Sequence, residues 1–155
     1  MKTSKLISVI IPNYNRTRDI LDALQSIRNQ DLRDFEVIVV DDASTDGSVP
    51  SIRKHFPEVK VIALTEKQGP AIVRNIGIKQ AHGSIIVGID SDVVLSDKST
   101  LRRVVSVFSS RANIACLAFR ILNHFDNRDD AKTWWHPMPV TKYAACEFYT
   151  DYFSN

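Results

Sequence analysis

The sequence predicts an α/β fold, a three-layer α/β/α arrangement of Rossmann-like kind around a mostly parallel sheet. Three observations carry that expectation. Short apolar runs alternate with segments of helical periodicity, the links between them are brief, and the runs are nearly continuous, as in strands buried on both faces. Strands joined through helices in that order lie parallel, with right-handed crossovers. The longest runs, Val37 to Val40 and Ile85 to Ile89, are strand-sized and far short of a membrane span.

The elements follow in order. Leu6 to Pro12 reads as a buried strand stopped by Pro12. Asn13-Tyr14-Asn15-Arg16 is a turn, with Thr17 as the expected N-cap of a helix. That helix carries Ile20, Leu24 and Ile27 on one face and Asp19 in its first turn. Phe35 to Val40 is a second strand. It ends in the polar turn Asp41-Asp42-Ala43-Ser44-Thr45-Asp46-Gly47, which hands over to a helix with Pro50 in its first turn. Val59 to Leu64 is a third strand. Gly69-Pro70 opens the next helix, and Gly77 inside it predicts a close backbone approach, since glycine costs about 1 kcal/mol against alanine there. Gly83 is expected to end that helix, and the fourth strand, Ile85 to Ile89, follows it. Leu101, Val104, Val105 and Phe108 then mark a helix, and Ile114 to Leu122 a less regular fifth strand.

From Asn123 the character changes. The last 33 residues hold 8 of the 13 aromatics, among them Trp134, Trp135, Tyr149, Tyr152 and Phe153, without a clear period. So much aromatic surface needs something to pack against, which predicts self-association through this segment. The expected division is a core over residues 1–122 and an aromatic-rich, acceptor-side segment over 123–155.

Composition narrows the class. A length of 155 residues suits one domain with one sizeable core. A formal net charge of +2, with no basic stripe and interleaved aromatics, speaks against nucleic acid as a partner. The first residues lack the apolar region and cleavage site of a secretion signal. Cys116 and Cys146 are unpatterned, as free thiols of a reducing compartment would be. The expected location is therefore cytoplasmic. Asn15-Arg16-Thr17 matches a glycosylation sequon, which without a secretion signal is read as chance.

Three polar clusters follow three strands: Asn13/Tyr14/Asn15, Asp41/Asp42/Ser44/Asp46 and Asp90/Ser91/Asp92. In a parallel sheet all strand carboxyl ends share one edge, where open α/β sheets keep their ligands. Each cluster alone reads equally well as a solvated, helix-capping turn, with Ser44, Asp46 or Thr17 as caps. Together they predict a site. Two carboxylates one residue apart at the end of an apolar strand suit a Mg²⁺ or Mn²⁺ ion that also holds substrate phosphates. Rival chemistries fit poorly. Asp42 to Gly47 begins like an EF-hand loop, but Arg53 stands at the twelfth position, where glutamate is needed. No Gly-x-Gly-x-x-Gly follows the first strand, the four histidines show no ligand spacing, and no serine or cysteine sits in a nucleophile elbow. A haloacid-dehalogenase-like phosphatase would use Asp90 as nucleophile, but its motif comes at the first core strand. Here Asp-x-Asp arrives at the fourth, with 63 residues left.

Five motifs in order carry a resemblance to glycosyltransferase family 2, inverting nucleotide-sugar enzymes of GT-A fold. They are Val9-Ile10-Ile11-Pro12-Asn13-Tyr14-Asn15-Arg16; Ser26 to Gln30; Val40 to Gly47; Gly69 to Gly77 with Arg74-Asn75; and Ala81-His82-Gly83 leading to Asp90-Ser91-Asp92. The resemblance runs from about Lys5 to Leu95. Ile72-Val73 departs from it mildly, standing where the family often has small residues.

The resemblance implies a GT-A half that takes a nucleotide-sugar donor, UDP-linked by preference, and a carbohydrate or lipid-linked acceptor in bacterial cell-surface polysaccharide biosynthesis. The expected location is cytoplasmic, with the inner face of the membrane as the alternative. By the same resemblance Pro12, Tyr14 and Asn15 would border the nucleotide, with the Tyr14 ring stacking on the base. Asp42 would accept the base imide, and Gly69 and Arg74 would lie along the base or diphosphate. Asp90 and Ser91 would face the ribose or a metal-bound water, and Asp92, with Asp90, would ligate Mg²⁺ or Mn²⁺. Asp41 would orient its loop, Asn75 and Gly77 would be structural, and Ser26 and Gln30 would hold the first helix in place.

An inverting transfer needs a general base. In the family this is an aspartate of a downstream Glu-Asp pair, and none follows Asp92. Asp126, Asp129, Asp130, Glu147 and Asp151 are the remaining acids, and none is assigned the role. The expectation is a chain truncated on its carboxyl side that supplies the donor- and metal-binding half. The alternative is a module that binds a nucleotide sugar without turnover.

Overall fold

The computed structural model describes residues 6–111, 114, 116–119 and 148–150. In chain order they form β1 (Ile7–Asn13), α1 (Thr17–Arg28), β2 (Phe35–Asp41), α2 (Ser48–His55), β3 (Lys60–Ala63), α3 (Pro70–Lys79), β4 (Ile85–Gly88), α4 (Thr100–Ser110), β5 (Leu117–Phe119) and β6 (Phe148–Thr150). The predicted mostly parallel sheet is present, with β1 to β4 in the order β3-β2-β1-β4 and every pairing parallel. β5 and β6 pair antiparallel in a separate two-stranded sheet. By its contacts the chain divides into two compact units, Met1–Arg103 and Val104–Asn155. No helix among the described residues is long and apolar enough to cross a membrane.

Alternation along the strands sends side chains to both faces of the sheet. Ile10, Ile38 and Val40 gather with Val73 of α3, and Ile62, Leu64, Ile76 and Ala81 close around them. Ile7, Val9, Ile11, Val37 and Val39 point the other way and are equally buried. α1 and α2 pack on each other, with Ile20, Leu24, Ile27 and Ile52 buried. Gly77 meets the predicted close approach: a Cβ there would lie 2.4 Å from Ile10 Cγ2.

Several boundaries differ from expectation, each for a local reason. β1 does not stop at Pro12 but runs to Asn13. The Ile10 carbonyl accepts Ile89 N–H, so even-numbered residues of β1 face β4, and the ladder with β4 ends at Ile10. The missing N–H of Pro12 therefore falls beyond that ladder and costs nothing. Thr17 is the first helical residue rather than the N-cap, which is Arg16. Its hydroxyl donates to the Asp46 carbonyl and meets Ser48 Oγ instead. α3 ends at Lys79 with Gln80 as its C-cap, so Gly83 does not end it. Gly83 is needed because a Cβ there would lie 2.5 Å from the backbone of Ile7 and of Ser8. β4 is shorter and less buried than predicted: Val87 is inside, Ile86 is 41% exposed, and no strand among the described residues pairs with its second edge.

Candidate functional site

The carboxyl ends of β1 and β2 and the turn after β4 share one edge; hydrogen bonds lace the first two polar clusters together, and arginines reach the third. Asn13 and Asp41 are the last register pair of β1 and β2, and Asn13 Nδ2 donates to Asp41 Oδ2 at 2.7 Å. Asp41 also accepts the Ser44 N–H at 2.8 Å and its hydroxyl at 2.7 Å. Ser44 Oγ in turn accepts Asn15 N–H, and Asn15 Oδ1 accepts Thr45 N–H, both at 2.8 Å. Asp41 thus orients the loop, and Asn15 stitches the β1–α1 turn to the β2–α2 turn. The stitching holds Asn15 at φ 50° and Ala43 at φ 62°, in the left-handed region that few non-glycine residues enter. Asn13 Oδ1 is buried and accepts no hydrogen bond among the described residues.

Asp46 ties the starts of two helices. One oxygen accepts Thr17 N–H at 2.8 Å, and the other accepts Ser48 N–H at 3.0 Å and Ser48 Oγ at 2.5 Å. Burial pushes its pKa up, but these bonds from Ser48 and Thr17 outweigh burial and hold it down at about 2.

Asp42 is buried, and its two oxygens accept Gln68 N–H at 2.6 Å and Gly69 N–H at 3.0 Å. It therefore anchors the loop that opens α3, where Gly69 takes φ 86°. On that loop Lys67 places its ammonium 3.7 Å from the centroid of the Tyr14 ring, which is 41% exposed. Pro12 is half-buried on β1.

The Asp90-Ser91-Asp92 turn leaves the sheet beside Ile10, with Val93 N–H bonded to the Asp90 carbonyl at 3.2 Å. Ser91 is buried, while Asp90 and Asp92 have half-exposed carboxylates, each paired with an arginine. Arg16 Nη1 donates to Asp92 Oδ2 at 2.8 Å, and Arg74 of α3 donates to Asp90 Oδ1. Behind the turn, Ser26 Oγ accepts Leu95 N–H at 3.0 Å, and Gln30 Nε2 donates to the Asp97 carbonyl at 2.8 Å. These two buried side chains fasten the segment after Asp92 to the end of α1, so the residues expected to hold that helix also position the turn.

Among the described residues, no group of three or more histidines, cysteines, aspartates or glutamates could hold a metal ion alone. Asp90 and Asp92 offer the hard carboxylate oxygens that a Mg²⁺ or Mn²⁺ ion takes, and such an ion would need its remaining ligands from elsewhere, as from substrate phosphates. The nine residues expected to touch donor or metal, Pro12, Tyr14, Asn15, Asp42, Gly69, Arg74, Asp90, Ser91 and Asp92, thus lie at or beside this edge. Arg16 and Lys67 were given no role there. Their signal was only a basic residue within each loop, since long side chains reach across from elements far apart in sequence. The acids Asp126, Asp129, Asp130, Glu147 and Asp151 lie outside the described residues, as does the aromatic segment apart from the backbone of β6.

Comparison with known proteins bears on the fold and the family. A family model described as Glycosyl transferase family 2 matches residues 8–153. The poly(ribitol-phosphate) β-N-acetylglucosaminyltransferase TarS of Staphylococcus aureus is 40% identical over 100 residues, 61% of this chain and 17% of that protein. The teichuronic acid biosynthesis glycosyltransferase TuaG of Bacillus subtilis, its role described as putative, is 37% identical over 56% of this chain and 36% of its own length. The structure of TarS residues 1–349 with UDP-GlcNAc matches with a TM-score of 0.70 at 31% identity, over 79% of this chain and 36% of that one. A mannosyltransferase from Pyrobaculum calidifontis with GDP-Man and Mn²⁺ matches with a TM-score of 0.68 at 28% identity, over 81% and 38%. The chain thus spans well under half the length of these relatives.

Proposed function

The chain belongs to glycosyl transferase family 2, and on that premise we propose that it holds a UDP-sugar for transfer, with inversion, to an acceptor hydroxyl. The observation that carries the reading is the set of two carboxylates and two guanidiniums, Asp90 with Arg74 and Asp92 with Arg16, beside Tyr14 and Asp42. Displacing a nucleoside diphosphate from an anomeric carbon builds negative charge on the leaving phosphate. The arginines would supply positive charge where it develops, and Mg²⁺ or Mn²⁺ held by Asp90 and Asp92 would stabilise it as a Lewis acid. Tyr14 offers a ring to the base, and the Asp42-anchored loop sets the wall beside it. The neighbour holding UDP-GlcNAc supports the uridine donor. The relatives named for ribitol-phosphate polymer and teichuronic acid synthesis support an acceptor hydroxyl on a cell-surface polymer.

Calorimetry of UDP-, GDP- and dTDP-sugars with and without Mn²⁺, on the wild type and Asp92→Ala, tests the reading. A UDP-sugar should bind with Mn²⁺, and the substitution should remove the metal dependence. Binding of no nucleotide sugar, or metal-dependent binding that survives Asp92→Ala, overturns the assigned site.

A further inference from the structure

Both carboxylates of the Asp90-Ser91-Asp92 turn already have cationic partners, Arg16 on Asp92 at 2.8 Å and Arg74 on Asp90. Two negative and two positive side chains make a cluster without net charge. Arg16 has a second carboxylate in reach, because the same Nη1 lies 3.3 Å from Asp19 Oδ2 in the first turn of α1. It can therefore leave Asp92 without losing every anionic partner.

That balance governs what the cluster accepts. A divalent cation alone must displace a guanidinium from each carboxylate it takes, and it leaves two positive charges in excess. A nucleoside diphosphate alone sets its phosphates against two carboxylates. Together they fit: the cation takes the carboxylates, the diphosphate takes the guanidiniums, and most of the added charge cancels. We infer that Arg16 is a positioning residue that makes cation and donor binding mutually dependent, holding Asp92 until the cation takes it and then turning to the diphosphate. This rests on the donor-site reading above and assigns the metal dependence of that reading to Arg16, a residue to which it gave no part in the coupling. The coupling is reciprocal, so the nucleotide tightens the cation by the same factor as the cation tightens the nucleotide.

The test is calorimetry at fixed ionic strength on the 155-residue chain, with Mn²⁺ alone, UDP alone in chelator, and each in the presence of the other. In the wild type each ligand should tighten the other about tenfold or more. In Arg16→Gln, Mn²⁺ alone should bind up to about fivefold tighter, because an exposed carboxylate has lost its competitor. UDP in the presence of Mn²⁺ should bind about tenfold weaker, with a charge-assisted contact gone. Opposite signs separate this role from a structural one, since partial loss of fold weakens both ligands together. Arg16→Lys, which keeps the charge, should recover most of the coupling. Unchanged or weaker Mn²⁺ binding in Arg16→Gln, with wild-type coupling retained, overturns the inference and leaves the donor site standing. A wild type that binds no UDP under any of these conditions overturns the donor-site reading, and the inference with it.

Discussion

Asn13 and Asp41, register partners at the ends of β1 and β2, are joined by a buried 2.7 Å hydrogen bond from amide to carboxylate. The pair sits where the two strands release their loops, and Asp41 also takes both donors of Ser44. Asp41→Ala strips three hydrogen bonds at once and leaves the buried Asn13 amide with only a 3.4 Å contact to Ser44 Oγ as acceptor. Chemical denaturation should show a loss of about 3 kcal/mol. Asp41→Asn, which keeps one acceptor oxygen, should lose about half as much.

Two glycines make a matched pair for a packing test. A Cβ at Gly83 would meet the backbone of Ile7 and Ser8 at 2.5 Å, and β1 cannot withdraw without opening the sheet. Gly83→Ala should cost about 3 kcal/mol or more. At Gly77 the nearest atom is a side-chain methyl of buried Ile10, which gives way only if that packed side chain shifts, while alanine gains about 1 kcal/mol of helix propensity. Gly77→Ala should therefore cost about 1–2 kcal/mol. Equal losses at the two sites would contradict this difference between backbone and side-chain neighbours.

The acid limb of stability should report Asp46. Its pKa is held down from 3.8 to about 2 in the folded chain, so its stabilising contribution is complete above about 4 and is lost as pH falls toward about 2. Glu36 acts with the same sign at the opposite end of the strands. Burial raises its pKa, but bonds from the Ser8 hydroxyl and from His82 outweigh burial and lower it. Melting temperatures from about pH 5 to about pH 2 should show Asp46→Asn well below the wild type at the upper end and converging with it at the lower. A gap that stays constant with pH would remove Asp46 from the acid limb.

The sheet was legible because apolar runs of strand length record burial directly, and the glycine inside α3 marked its own close approach. Pairings that depend on register were not legible. Asn13 and Asp41 are 28 residues apart and meet only because β1 and β2 are parallel and in step. Pro12 looked like a terminator because the sequence does not show which edge of β1 its missing N–H would face. Asp90 and Asp92 were visible as a pair, but Arg16 and Arg74 reach them from 76 and 16 residues away. Local sequence records burial and turn chemistry, whereas charge pairing between loops becomes visible only once the strands are ordered.

Asp42 allows the base reading to be separated from a purely structural one. Its oxygens accept the N–H groups of Gln68 and Gly69, and each keeps a second lone pair for a ligand. In Asp42→Asn one acceptor becomes an amide donor facing a backbone N–H, which should cost about 2 kcal/mol in stability. If Asp42 acts only through the loop, UDP and CDP should weaken by the same factor. If it accepts the uracil imide, UDP should weaken about tenfold or more while CDP, whose ring nitrogen is an acceptor, matches the new amide. The expected outcome is a collapse of the UDP-to-CDP affinity ratio, measured by calorimetry with Mn²⁺ present. An unchanged ratio would confine Asp42 to anchoring the loop.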